Sequence, residues 1–194
     1  MHIGVLALQG DFAAHLRALA DRGVTGREVR GEADLADVDG IVLPGGESTT
    51  VLSLLRGTSL EAALVQRIAS GTPVLATCAG LILLAREVRN PRQDALALLD
   101  VTVERNAYGR QRDSVVLPLQ VEDPAELGSD TLEGVFIRAP RIVATGGGVK
   151  VLARRDGDPV LVRQGRILAA TFHPELSPAS PVIHRFLALC GGAP

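Results

Sequence analysis

The chain has 194 residues, 46% hydrophobic and 22% charged, which is enough apolar material for a sizeable core and too much for a disordered chain. Its 20 Lys and Arg nearly balance 22 Asp and Glu, for a formal charge of -2, and aromatic residues make up only 3% with no Trp. That leaves neither a basic footprint for nucleic acid nor a supply of rings on which bases could stack. The expectation is one domain over residues 1–194 that recognises small ligands through polar side chains and main chain.

Two cysteines, Cys78 and Cys190, are too few for a disulfide framework and fit a reducing, cytoplasmic setting. The opening MHIGVLALQGD has no basic leader and reads as a first strand rather than a targeting peptide. From Ile68 to Ala85 the chain carries no charge. Gly71, Pro73 and Gly80 nevertheless break that stretch into strand, turn and helix, so no membrane span is expected.

In chain order, His2 to Leu8 predicts a strand, and Phe12, Leu16 and Leu19 recur at helical spacing after Gln9-Gly10. Glu28 to Arg30 is a weak second strand. Asp39 to Pro44 is a third, apolar on consecutive residues as a strand buried on both faces would be. A helical pattern follows at Leu52 and Leu55 and, past Gly57, at Leu60 and Leu64. Thr72 to Thr77 repeats the strand, and Leu81 to Ala85 the helix. This alternation predicts an α/β fold with a mostly parallel central sheet and helices on both faces, its chemistry at the carboxyl ends of the strands. Beyond Leu98 the pattern turns to short strands: 101–104, 114–121, 134–138, 149–154, 160–163 and 167–171. They read as a β-rich C-terminal extension, closed by a helix over 181–189 with Val182, Phe186 and Leu189 on one face.

Three segments carry candidate chemistry. Strand, then Ala76-Thr-Cys-Ala-Gly80, then an apolar helix is the layout of a nucleophile elbow with Cys78 at its apex. There the helix dipole favours the thiolate, and the Ala79 amide points at whatever the sulfur attacks. The competing reading makes Cys78 a small buried apolar side chain, as most free cysteines are. The second segment is Thr171-Phe-His-Pro-Glu175. Pro174 biases His173 towards extended geometry, so His173 and Glu175 share a side and the carboxylate can fix the imidazole tautomer. Alone this is an ordinary surface ion pair, but with an elbow cysteine it becomes the better-explained half of a Cys/His/Glu set. The third is Pro44-Gly-Gly-Glu-Ser48, whose glycines let backbone amides approach an oxyanion.

Arg105 and Arg138 each sit just past an apolar strand, where a fixed guanidinium could hold a carboxylate, although single arginines there are more often solvated or structural. His2, His15 and His184 lack a carboxylate at useful spacing, and Cys190 lies near the end of the chain, so none is assigned chemistry. No Cys/His cluster has zinc spacing and no phosphate-cradle motif is present, so neither a metal nor a cofactor is expected.

GVLALQGD, LPGGESTT at 43–50, TCAGLILLA at 77–85, VERNAYGRQ at 103–111, GVFIRAP at 134–140 and FHPEL at 172–176 occur together. In this combination the chain resembles, along nearly its whole length, the glutaminase subunits of pyridoxal 5'-phosphate synthases, within the class I (triad) glutamine amidotransferases. The resemblance implies hydrolysis of L-glutamine to L-glutamate and ammonia, with the ammonia passed through a tunnel to a partner synthase subunit. Such subunits are typically poor glutaminases until that partner docks.

Carried over residue by residue, the resemblance makes Cys78 the nucleophile, His173 the general base and then acid, and Glu175 its orienter. It places the oxyanion hole at Gly46 and Ala79, and glutamine binding at Gly46, Glu47, Ser48, Arg105, Ile137 and Arg138. The class pattern G-x-C-x-G has Ala76 at its first position here, which adds a methyl group to the elbow packing. The rival readings are a glutaminase that feeds a different synthase and a non-catalytic regulatory subunit. GGESTT and FIRAP count against the first, and an intact Cys78, His173 and Glu175 against the second.

Overall fold

A computed structural model describes residues 1–105 and 114–191. Its first half alternates strand and helix: β1 (His2–Leu6), α1 (Phe12–Ala20), β2 (Thr25–Val29), β3 (Gly40–Leu43), α2 (Ser48–Leu55), α3 (Ser59–Ala69), β4 (Val74–Thr77) and α4 (Ala79–Leu84). The second half contributes β5 (Ala85–Arg89), β6 (Leu99–Glu104), β7 (Val115–Pro118), β8 (Gln120–Val121), α5 (Pro124–Leu127), β9 (Glu133–Phe136) and β10 (Arg141–Thr145). It ends with β11 (Lys150–Arg155), β12 (Asp158–Gln164), β13 (Ile167–Ala170), a 3-10 turn at Pro174–Leu176, and α6 (Pro181–Leu189).

The central sheet has eight strands in the order β2-β1-β3-β4-β13-β12-β11-β8. From β2 to β13 every pairing is parallel, and β12, β11 and β8 continue antiparallel. Strands β3, β4 and β13 are buried along their whole length, which is why they read as unbroken apolar runs rather than alternating ones. Alternate residues still point to opposite faces, and this divides the core in two. Ile41, Leu43, Val74 and Ala76 face α2, α3 and α4, whereas Val42, Leu75 and Leu168 face α1 and α6.

The structure refines three of the sequence expectations. The β-rich half is more than an extension, because β13 inserts beside β4 in the middle of the central sheet. The predicted strand over 114–121 is two strands in different sheets, β7 paired with β9 and β8 with β11, with the break at Leu119, directly after Pro118 ends β7 and supplies no N–H to carry the ladder on. Strands β5 and β10, which the periodicity does not reveal, flank β6 in a separate three-stranded sheet that covers the α2–α4 side. Helix α4 is only six residues long and passes directly into β5.

This topology positions the site. The carboxyl ends of β1, β3, β4 and β13 lie side by side at one edge of the sheet, so the segments that follow them meet there. Those segments are Gln9-Gly10-Asp11, Gly45 to Ser48, Cys78, and His173 to Glu175.

Candidate active site

Cys78 leaves β4 with φ 48° and ψ -101°, a left-handed conformation that a non-glycine residue holds only when its surroundings impose it. Two contacts do so. The Cys78 amide donates to Ala170 O at 2.9 Å, and Gly80 packs so closely on Leu43 that a side chain there would overlap the Leu43 carbonyl. The second glycine of the elbow is thus obligatory. The first position tolerates Ala76, which is fully buried in β4 and packs in the core on the α2–α4 side. Ala79 is the first residue of α4, so its amide is one of the donors that a helix N-terminus leaves without an intrahelical partner.

His173 follows β13, its main chain held by the bond from its amide to Val135 O at 2.9 Å. Its Nδ1 lies 2.8 Å from Glu175 Oε1, and both residues are buried, at 7% and 8% exposure. Burial alone would push the imidazole down, but hydrogen bonds with Cys78 and Glu175, and the charges of both, outweigh it and raise His173 to about 10. Glu175 responds in the opposite direction. Burial pushes it up, but the charges and hydrogen bonds of His15 and His173 hold it down at about 2.

One cavity of about 240 Å³ joins these groups to the rest of the predicted site. Cys78 and His173 line it together with Gly46, Glu47 and Ser48, and Arg105, Ile137 and Arg138 complete the wall. Glu175 and Ala79 lie behind that lining, both buried. Ile137 O is 3.9 Å from Cys78 Sγ, and Arg138 holds a second non-glycine left-handed backbone, with φ 47°. Arg105 Nη2 pairs with Glu47 Oε1 at 2.9 Å, so one predicted substrate contact is occupied by another. The Ser48 hydroxyl donates to Gln93 Oε1 at 2.9 Å, which commits its proton away from the cavity. Positions 106–111 of the VERNAYGRQ motif lie outside the described residues. Among the described residues, no group of three or more His, Cys, Asp or Glu could hold a metal ion.

Sequence reasoning missed what several residues do in this site. The first is Gly45, expected only as one of two glycines that let amides approach an oxyanion, which has room for no side chain because the His173 ring lies against it. Another is Gln9, whose Oε1 accepts the Glu47 amide at 2.7 Å, while the Asp11 amide donates to Gly45 O at 3.1 Å. Together they clamp the Gly45–Glu47 loop from the segment after β1. The third is His15, and here the structure corrects the expectation that it lacks a carboxylate partner. Its Nε2 lies 3.3 Å from Glu175 Oε1 and 3.1 Å from Thr77 Oγ1. No local spacing could reveal this, because His15 and Glu175 come from opposite ends of the chain. The ring of His184 is exposed, and burial raises the Cys190 thiol to about 12.

Residues 5–189 match the model of the SNO glutamine amidotransferase family. A pyridoxal 5'-phosphate synthase subunit PdxT from Thermotoga maritima is 53% identical over 177 residues, covering 91% of this chain and 93% of that one. Its counterpart from Thermus thermophilus is 50% identical over 192 residues, 97% of each chain. A crystal structure of a glutamine amidotransferase superposes with a TM-score of 0.88 at 46% identity, covering 98% of this chain and 99% of that one. The fold alone is shared with a chain of PurLQS from Thermotoga maritima, at a TM-score of 0.71 and 18% identity over 97% of this chain and 96% of that one. The elbow, the paired histidine and carboxylate, and the loop beside them thus occur in a chain that belongs to the SNO glutamine amidotransferase family.

Proposed function

We propose that this glutamine amidotransferase works through a Cys78–His173–Glu175 triad, as a one-domain cytoplasmic glutaminase subunit that delivers ammonia to a pyridoxal 5'-phosphate synthase partner. One observation carries the chemistry: an elbow cysteine and an imidazole oriented by a buried carboxylate at 2.8 Å face the same cavity. The partner assignment rests on relatives of about half identity that carry the synthase-subunit name. Among the described residues, no helix is long and apolar enough to cross a membrane.

In the proposed reaction, Arg105 and Arg138 hold the glutamine carboxylate, and the Glu47–Arg105 pair opens or rearranges to admit it. The Cys78 thiolate attacks the side-chain amide carbon, and the resulting oxyanion accepts hydrogen bonds from the amides of Gly46 and Ala79. The raised His173 carries a proton at neutral pH and gives it to the amide nitrogen, so the C–N bond breaks and ammonia leaves a thioester behind. His173, now neutral, takes a proton from a water molecule whose oxygen attacks the thioester carbon. Glutamate departs, and the thiolate and imidazolium are restored. Glu175 remains ionised throughout, fixing the tautomer and stabilising the imidazolium.

The test is glutamate release from L-glutamine with and without the cognate synthase subunit, with the Cys78→Ala protein as the blank. Stimulation by the partner that disappears in the variant is the expected result. Equal rates in both proteins, or no release even with the partner present, would overturn the reading.

A further inference from the structure

The triad carboxylate has a second imidazole beside it that the mechanism leaves unused. His15 is 2% exposed and sits in the middle of α1, between Ala14 and Ala18, where the core would accept an apolar side chain. A buried imidazole at such a position costs free energy unless it finds polar partners, and Nε2 hydrogen-bonds with Thr77 Oγ1 at 3.1 Å and lies at ion-pair distance from Glu175 Oε1, 3.3 Å away. Thr77 is the last residue of β4 and precedes the nucleophile, and Glu175 belongs to the turn after β13. His15 therefore ties together the two strand ends that carry the two halves of the triad.

The charge on Glu175 has little other support. Its side chain is fully buried, and Oε2 has no hydrogen-bond partner among the described residues, so Oε1 is shared by His173 and His15. The turn that holds it spans three residues, with Pro174 and Glu175 buried, and it packs against α1. We infer that His15 is a positioning residue for glutamine hydrolysis: its Nε2–H, shared between Thr77 and Glu175, holds the carboxylate in the orientation that aims His173 at Cys78. Glu175 is accordingly kept well below its ordinary range with His15 as the largest cause acting against burial. Helix α1 thereby supports both sides of the site, since the segment that begins it also clamps the Gly45–Glu47 loop. This inference rests on the triad reading above.

The experiment compares His15→Ala, His15→Leu and His15→Gln with the parent protein. Leu fills the volume without a donor, whereas Gln places an amide N–H at about the reach of Nε2. Glutaminase kinetics are measured with the synthase subunit present. The rate of Cys78 alkylation by iodoacetamide, read by peptide mapping, is measured on the same folded proteins and does not depend on glutamine. Ala and Leu should lower kcat roughly 10- to 100-fold, with KM changed less than about threefold, and should slow alkylation. Gln should recover most of both.

Parental kcat and alkylation in the Leu variant would overturn the inference. So would a Gln variant as slow as Leu, or a loss confined to KM. If His15→Ala does not fold, the Leu and Gln pair decides the question. If the parent itself does not hydrolyse glutamine with its partner, the proposed function fails, and the alkylation series still decides whether His15 positions the cysteine–histidine pair.

Discussion

Gly45 lies against the His173 ring so closely that a methyl group on its α-carbon would be 2.5 Å from Cε1 and 3.2 Å from Nδ1, and 3.4 Å from the Cys78 Cβ. The glycine is the wall against which the His173 ring and Cys78 pack, the proposed base and nucleophile. Gly45→Ala must therefore displace the imidazole, the loop, or both. We expect kcat to fall about 10²-fold, with about 1–3 kcal/mol of destabilisation from overpacking, measured by steady-state kinetics and urea unfolding. A Gly45→Ala protein with parental kcat would show that the ring is free to relax.

The 2.8 Å bond between His173 and Glu175 predicts the effect of removing the charge while keeping the shape. Glu175→Gln still fills the site, but it leaves the imidazolium unstabilised and allows the wrong tautomer. A loss of roughly 10³- to 10⁴-fold in kcat is expected, with KM little changed. A variant within about tenfold of the parent would remove Glu175 from the triad.

Stability should depend on pH through the same pair. Glu175 is lowered from 4.5 to about 2, so its contribution is complete above about pH 4.5 and is lost as pH falls towards 2, worth on the order of 3 kcal/mol. His173 is raised from 6.5 to about 10, so its contribution is complete below about pH 6.5 and is lost as pH rises towards 10. The two windows leave maximal stability between about pH 4.5 and 6.5. Urea unfolding from pH 3 to 10 measures this. In Glu175→Gln the acid-side decline should be shallower than in the parent, and equal acid-side slopes would refute the assignment.

Arg105 and Glu47 are partly exposed, so their 2.9 Å ion pair contributes little to stability, on the order of 0.5 kcal/mol or less. The arginine should matter for substrate instead. Arg105→Ala should raise the KM for glutamine about tenfold or more and lower kcat less, because the contact is made equally in ground and transition states. An unchanged KM would place the glutamine carboxylate elsewhere, with Arg138 the next residue to substitute.

The candidate site is legible in the sequence where it is local. The elbow is set by a strand, a tight turn and a helix within Ala76–Gly80, and the His173–Glu175 pair by two residues of extended chain, so spacing singles out both as candidates, each with a plain structural alternative until the two are taken together. The parallel core strands can be read because burial on both faces demands unbroken apolar runs, as in Gly40–Leu43 and Val74–Thr77. Strands β5 and β10 are not legible, since Ala85–Arg89 and Arg141–Thr145 are mostly exposed and owe their conformation to pairing with β6.

Tertiary structure alone decided what surrounds the proposed triad. Gly45 is required by a ring from the far end of the chain, Gln9 reaches across to Glu47, and His15 meets Glu175 only because β1, β4 and β13 end at one edge of the sheet. Composition and periodicity determine which segments are buried and which turns are tight. Which buried side chains then meet is determined by the order of strands in the sheet, a property of long-range packing that no window of sequence contains.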